Sequence, residues 1–491
     1  MARSFSVLYV SSELYPYAKV SSLADVTYSL PMAMRELGHD IRVMLPKYGN
    51  VSERKNKIHE INRLKDLPIP IGDKSDLATV KSSSIASPRV KVQAYITTNV
   101  NYLDMNKGIY RDVKSGKFFN DNDERFIFFN KTVIETCLIL GWVPDIIHVN
   151  DWQTALVPAF AKVFFPNKFK RTKTVLTIHD MGNQGEFPES TFDKTGLPQD
   201  LKDKFIQNGK FNFIKGALNF VDAINTVSPT YAQEIYQDAN YTNGLNSLLL
   251  EKEDKFSGIL NGIDTWIWDP KDDDQIFAPF DASFADFKKK NRDGLLSAFC
   301  LPDNPNVPVV NVISPLDVSN GMDMLIQNLE QLLAKDLILL FMCDGEPEMK
   351  SSIKKLVKKY PKKFAANFST EEILSHKILA GSDITLLPSV YEPGGTNAML
   401  NLSYGTIPVA RQTGAFNDFL SEYNSDEKSG NSFLYRDPSP ESMFEALDRA
   451  ISIYRNKGEW EQLAQDVMTK DYSWNESAKK YDEIYRNLMK D

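Results

Sequence analysis

Phe5-Ser6-Val7-Leu8-Tyr9-Val10, then Leu23-Ala24-Asp25-Val26-Thr27-Tyr28-Ser29-Leu30-Pro31-Met32-Ala33-Met34-Arg35-Glu36-Leu37-Gly38, then Ile41-Arg42-Val43-Met44-Leu45 reads as strand, helix, strand. The outer segments are short and apolar. The middle one has helical periodicity and stops at Gly38, a residue suited to a helix C-terminus. Such strands joined by a helix predict a parallel sheet covered on both faces. Ile146–Val149, Thr174–Ile178 and Ala223–Thr226 continue the series. A second series runs through strand Val309–Ile313, helix Met322–Leu333, strand Leu337–Met342, helix Lys350–Lys358 and strand Ile384–Leu387. Between them, Leu301-Pro302-Asp303-Asn304-Pro305-Asn306-Val307-Pro308 carries three prolines and no apolar periodicity, so it reads as a linker. The expected fold is α/β, with two doubly wound Rossmann-like domains facing a cleft. They span 1–304 and 305–475, and a C-terminal helix in 476–491 crosses back to the first domain. Ligands of such domains sit beyond the carboxyl ends of the strands, which places the expected site in the cleft.

Composition agrees with a large globular chain. Of 491 residues, 42% are hydrophobic and 25% charged. The 57 Lys and Arg against 65 Asp and Glu leave a net charge of −8, which disfavours nucleic acid as a partner. No window approaches the apolar length of a membrane span. The N-terminal apolar stretch is short and reads as a strand, not a leader, so a cytoplasmic or plastid-stromal location is expected. Cys137, Cys300 and Cys343 are far apart and odd in number, which argues for reduced thiols and against a disulfide framework or zinc site.

A series of motifs resembles the bacterial glycogen synthase and plant starch synthase family. It begins at Ser12-Glu13 and Lys19-Val20-Ser21-Ser22-Leu23-Ala24-Asp25-Val26. It continues through Asp121-Asn122, Asp151-Trp152-Gln153-Thr154, Thr177-Ile178-His179, Val227-Ser228-Pro229 and Asn261-Gly262-Ile263-Asp264. Ala380-Gly381-Ser382-Asp383, Glu392-Pro393, Tyr404-Gly405-Thr406 and Asp471-Tyr472-Ser473-Trp474 complete it. The resemblance covers nearly the whole chain. It implies a retaining glycosyltransferase of the GT-B type that adds glucose from ADP-glucose to an α-1,4-glucan, by front-face transfer, with no cofactor and no obligatory metal. By the same resemblance Lys19 and Glu392 are the candidate catalytic residues. Lys19, Asp25, Asp121, Asn122, Trp152, His179, Gln184, Asn261, Tyr391 and Gly395 are candidate substrate contacts. A diphosphate requires cations or helix N-termini, and cations that meet leaving-group charge raise rate as well as affinity.

The departures from the pattern fall where chemistry is expected. Ser21-Ser22 replaces Gly-Gly, where glycines allow close backbone approach. Asn150 stands for the second histidine of His-x-His-Asp-Trp, and Asn183 lies in a redrawn His179–Gly185 segment, to which Asp180 adds a charge. The family's Ser-Arg-Leu-x-x-Gln-Lys-Gly is Ser314-Pro315-Leu316-Asp317-Val318-Ser319-Asn320-Gly321, so Pro315 and Asn320 replace the two cations that grip the diphosphate. Phe341-Met342-Cys343 stands where a Gly-x-Gly turn is expected, and Gly394 replaces the cysteine of Glu-Pro-Cys-Gly. Three readings follow: a catalytically impaired paralogue that binds glucan or an active glucan synthase; an active synthase with an altered donor site, in which Arg411 replaces the lost cations; and a transferase with another donor.

Overall fold

A computed structural model describes residues 3–490 except 106, 238, 282 and 370. The chain divides into two compact units, Met1–Asn261 with Trp474–Asp491, and Gly262–Ser473.

The first unit is built on a ten-stranded sheet. Its parallel part runs Lys91–Thr98, Asp40–Pro46, Ser6–Val10, Ile146–Asn150, Lys173–Ile178, Ala223–Thr226, Phe256–Gly258. The order reverses between Ser6–Val10 and Ile146–Asn150, which makes the carboxyl ends of those strands the switch point where doubly wound sheets hold ligands. Ser6–Val10 is the central strand, and Val7, Leu8, Tyr9 and Val10 are buried. The helix Leu23–Glu36 lies within a residue of its predicted span, and Gly38 follows it at φ +99. An antiparallel extension, Leu67–Ile71 with Lys74–Ala86, was not legible in the sequence; Leu67–Ile71 alternates buried and exposed residues and contains two prolines.

The C-terminal helix Asn475–Leu488 belongs to this unit through buried polar contacts. His148 Nδ1 accepts from Tyr485 Oη at 2.7 Å, Asn225 Nδ2 donates to Tyr481 Oη at 2.9 Å, and His39 pairs with Asp482 at 2.9 Å.

The second unit is a parallel six-stranded sheet, Phe364–Asn367, Ile338–Gly345, Val309–Leu316, Ile384–Leu387, Ile407–Arg411, Phe433–Tyr435, again with a central reversal. Its boundary is at Asn261, not at 304. The reason is the helix Phe284–Ala298, which packs on Glu372–Gly381. Lys288 donates to the carbonyls of Ser382 (2.5 Å) and Tyr404 (3.2 Å). Arg292 bonds Asp383 at 2.6 Å and Asp303 at 2.8 Å, and donates to the Asn304 and Val307 carbonyls. The proline-rich 301–308 segment is therefore fastened inside the second unit and is not a linker. The predicted helix Met322–Leu333 is two helices, Met322–Gln327 and Leu329–Ala334, meeting at Asn328.

Candidate functional site

At the switch point of the first unit, strand Ser6–Val10 delivers Ser11, Ser12 and Glu13, all buried. Glu13, which carried no role in the sequence reading, organises the loop that follows. Its carboxylate accepts from Val20 N–H (2.8 Å), Ser21 N–H (2.9 Å), Ser21 Oγ (3.0 Å) and Tyr110 Oη (2.9 Å). Burial raises its pKa and these donors oppose the rise. Ser21 Oγ accepts from Leu23 N–H at 3.2 Å, and Ser22 has φ −64. Both serines are exposed in backbone conformations open to any residue, so no strain attends the loss of the glycines. Lys19 and Asp25 lie together, Nζ to Oδ1 2.8 Å, each about a third exposed.

Several candidate contacts are instead part of the interior. Asn122 is buried; it donates to the Tyr110 carbonyl at 3.0 Å and accepts from Arg125 at 2.6 Å. Trp152 packs against Phe126, Phe187 and Phe213 with ring centroids 5.0–5.5 Å apart, and Gly185 lies on its ring. Gln184 is buried between the Met181 and Thr242 carbonyls and Asn212 Nδ2. Asn183 is exposed and bonds Asp180 at 2.7 Å. Asp121 is half-buried ahead of the helix Asn122–Leu140. Asn261 is buried, and its Oδ1 has no hydrogen-bond partner among the described residues.

Around strand Ile146–Asn150 the polar groups form one network. Asn150 is fully buried. Its Oδ1 accepts from Tyr9 Oη and from His179 Nε2, both at 2.9 Å, and its Nδ2 donates to the Val10 carbonyl at 3.0 Å. Asp151 accepts from His179 N–H at 2.7 Å and sits at φ +54, a strained conformation for a non-glycine residue. His148 Nε2 donates to Thr177 Oγ1 at 2.6 Å, since the threonine hydrogen goes to Asn225. Burial pushes the pKa of His148 and His179 down to about 3 and that of Asp151 up to about 8.

The two shifts act on stability in opposite directions. Below about pH 6.5 the unfolded chain takes up protons at both histidines that the folded chain refuses. Between about pH 4 and pH 8 the folded chain keeps a proton on Asp151 that the unfolded chain releases. From these three groups stability is expected to rise between about pH 5 and 6.5, by about 1.4 kcal/mol per pH unit for the net proton released. Towards pH 8 the loss at Asp151 is offset by Lys131 and Lys288, whose pKa burial pushes down to about 8, so the curve levels. Denaturant midpoints across pH 5–8 measure this; stability at pH 5 equal to or above that at pH 6.5 would contradict it.

In the second unit the carboxyl ends of Val309–Leu316, Ile384–Leu387 and Ile407–Arg411 carry the remaining candidates. Glu392 lies at the turn into the helix Thr396–Ser403, half-buried, where its carboxylate accepts from Gly395 N–H (3.0 Å) and Ser389 Oγ (3.1 Å). Gly395 has φ +66, and a Cβ there would lie 2.6 Å from the Phe419 ring. Tyr391 and Gly394 are half-buried on the same turn. Pro315 is exposed in the last turn of strand Val309–Leu316. Asp317 closes the next turn on itself, its Oδ1 accepting from Ser319 Oγ (2.7 Å), Asn320 N–H (2.9 Å) and Asn320 Nδ2 (2.7 Å). Arg411 donates to the Val390 and Arg436 carbonyls. Phe341 and Cys343 are buried within strand Ile338–Gly345, with Phe341 on the Phe364 ring. The expected turn lies further on and has a glycine, Gly345 at φ +143. Among the described residues, no group of three or more His, Cys, Asp or Glu is placed to hold a metal ion, and no helix is long and apolar enough to cross a membrane.

Comparison with known proteins gives this geometry its context. The family described as "Starch synthase catalytic domain" matches residues 6–251, and "Glycosyl transferases group 1" matches 287–466. Glycogen synthase of Pelodictyon phaeoclathratiforme is 36% identical over 490 residues, 99% of each chain. Glycogen synthase of Kosmotoga olearia is 37% identical over 486 residues, 98% of each. The catalytic domain of starch synthase IV from Arabidopsis thaliana, solved with ADP and acarbose, superposes with a TM-score of 0.89 at 26% identity over all of both chains. With two Rossmann-like domains typical of GT-B glycosyltransferases and full-length relatives of this kind, the chain belongs to the glycogen/starch synthase family.

Proposed function

We propose that this chain is an α-glucan-binding member of the family whose transfer of glucose from ADP-glucose is severely impaired. One observation carries the reading: the 315–320 turn. Both positions that the family fills with diphosphate-gripping cations hold uncharged residues, and Asp317 adds an acid whose carboxylate is already bonded to Asn320. A hydrogen bond to a charged group contributes about 1.5–3 kcal/mol, so losing two weakens donor binding by about 10²–10⁴. Asn150 adds to this, since a buried carboxamide cannot exchange a proton with a leaving group. The family's acceptor, an α-glucan, and an active glucan synthase are the partners that fit a chain retaining fold without donor grip.

The contrary reading, an active synthase with a redrawn donor site, is supported by Arg411, which ends strand Ile407–Arg411 and donates to the Val390 carbonyl of the loop that carries Glu392. Glycogen co-sedimentation and glucose incorporation separate the two. The chain should pellet with glycogen and incorporate glucose from ADP-glucose at background rate. Sustained turnover would overturn the impaired reading.

A further inference from the structure

Arg125 is fully buried on the helix Asn122–Leu140 and forms no ion pair among the described residues. A buried charge is costly unless polar groups surround it. Its Nε donates to the Tyr102 carbonyl at 2.7 Å, and its Nη1 to the Ile109 carbonyl at 2.8 Å and to Asn122 Oδ1 at 2.6 Å. The rings of Phe119, Phe126 and Tyr48 surround the guanidinium, with centroids 4.8, 5.7 and 5.9 Å from Cζ. Its Nη2 has no hydrogen-bond partner among the described residues. One planar fork thus fixes the backbone at both Tyr102 and Ile109.

Ile109 leads directly into Tyr110, whose Oη donates to Glu13 Oε1 at 2.9 Å and accepts from Ser12 Oγ at 2.7 Å. Glu13 in turn is the acceptor for Val20 N–H and Ser21 N–H, the two amides that follow Lys19. Apolar burial does not hold this loop: Val20 is 61% exposed, and Ser21 and Ser22 are exposed too. The turn before it is closed separately by Leu14 and Ala18, whose backbones pair at 3.0 and 2.9 Å. The backbone after Lys19 is therefore placed by a buried chain of contacts that starts at Arg125. We propose that Tyr110 and Arg125 are positioning residues for Lys19, acting through Glu13 without touching a ligand. The inference rests on the reading of Lys19 as a ligand contact of a glucan-binding chain and is independent of the lost donor cations.

Amide resonances of the full chain test it. The Val20 and Ser21 amide protons should titrate together as Glu13 takes up a proton, with a midpoint above the usual carboxylate value because Glu13 is buried. Tyr48 and Asp151, which also feel its charge, hold their protons through that range. Y110F removes a donor to the charged form and should raise the midpoint by about one pH unit or more. E13Q should abolish the titration. R125K keeps the charge but cannot span both carbonyls, and should speed hydrogen exchange of the two amides about tenfold while Leu30, inside the helix Leu23–Glu36, is unchanged. Glycogen co-sedimentation shows whether the effect passes through Lys19: K19A and Y110F should each weaken binding about tenfold, and K19A/Y110F no more than K19A alone. Absence of a shared titration, an unchanged midpoint in Y110F, or additive losses in the double variant would overturn the proposal. If the natural chain does not pellet with glycogen, the glucan-binding reading falls, and the Y110F midpoint alone decides the positioning role.

Discussion

The triple variant P315R/D317A/N320K is expected to bind ADP about 10²–10⁴-fold more tightly than the natural chain. The structure explains why two substitutions are not enough. Asp317 Oδ1 already gathers the Asn320 side chain and N–H at 2.7 and 2.9 Å, so an ammonium at 320 would pair with that acid instead of a phosphate. Removing the acid frees the new cation and deletes a like charge from the expected anion site. Pro315 is exposed, so an arginine there needs no room in the core. Without the Asp317 carboxylate the turn keeps its backbone bonds, Gly321 N–H to the Val318 carbonyl at 3.0 Å and Met322 N–H to the Asp317 carbonyl at 3.4 Å. P315R/N320K with Asp317 intact should gain markedly less than the triple variant. Calorimetric titration of the series with ADP measures the effect, and equal weak binding across it would mean the site is closed by something other than charge.

R292M is expected to cost about 3–5 kcal/mol, the range for breaking a buried ion pair at one partner. Arg292 is buried and bonds Asp383 at 2.6 Å, Tyr454 at 3.2 Å and Asp303 at 2.8 Å, besides two loop carbonyls. Methionine keeps most of the stem and removes every donor. Asp383, which also accepts from Val309 N–H at 2.8 Å, is then left as a buried carboxylate without its cation. Thermal unfolding of R292M should show the transition of the Gly262–Ser473 unit lowered while that of the other unit is unchanged. A wild-type scan would contradict the placement of 301–308 inside this unit.

The parallel strands were legible because they are short, buried, largely apolar segments between turns, and Ile384–Leu387 and Ala223–Thr226 match their predicted residues. The boundary was misread because prolines signal a break in helix or strand, not a break between domains. What decides the matter is Arg292, and its partners lie up to 162 residues away in sequence. The Gly-x-Gly position was misplaced because a buried strand of eight residues, Ile338–Gly345, gives no mark of its own end until the positive φ of Gly345.

The candidate site shows the same division. Motif order alone singles out Lys19, Glu392 and the uncharged residues Pro315 and Asn320 as candidates. The internal roles of Trp152, Asn122 and Gln184 could not, since an aromatic or amide in a motif reads alike whether it faces a ligand or three phenyl rings. Glu13 had a signal, a carboxylate directly after a buried strand, but its four donors come from residues up to 97 positions away.

The proposed loss of hold on the donor diphosphate is decided by calorimetric titration of the natural chain with ADP and ADP-glucose, followed by glucose incorporation into glycogen in the same buffer. Neither nucleotide should bind at micromolar concentration, and incorporation should not rise above background. Micromolar binding with turnover would contradict it and would make Arg411 and Lys19 the first residues to substitute.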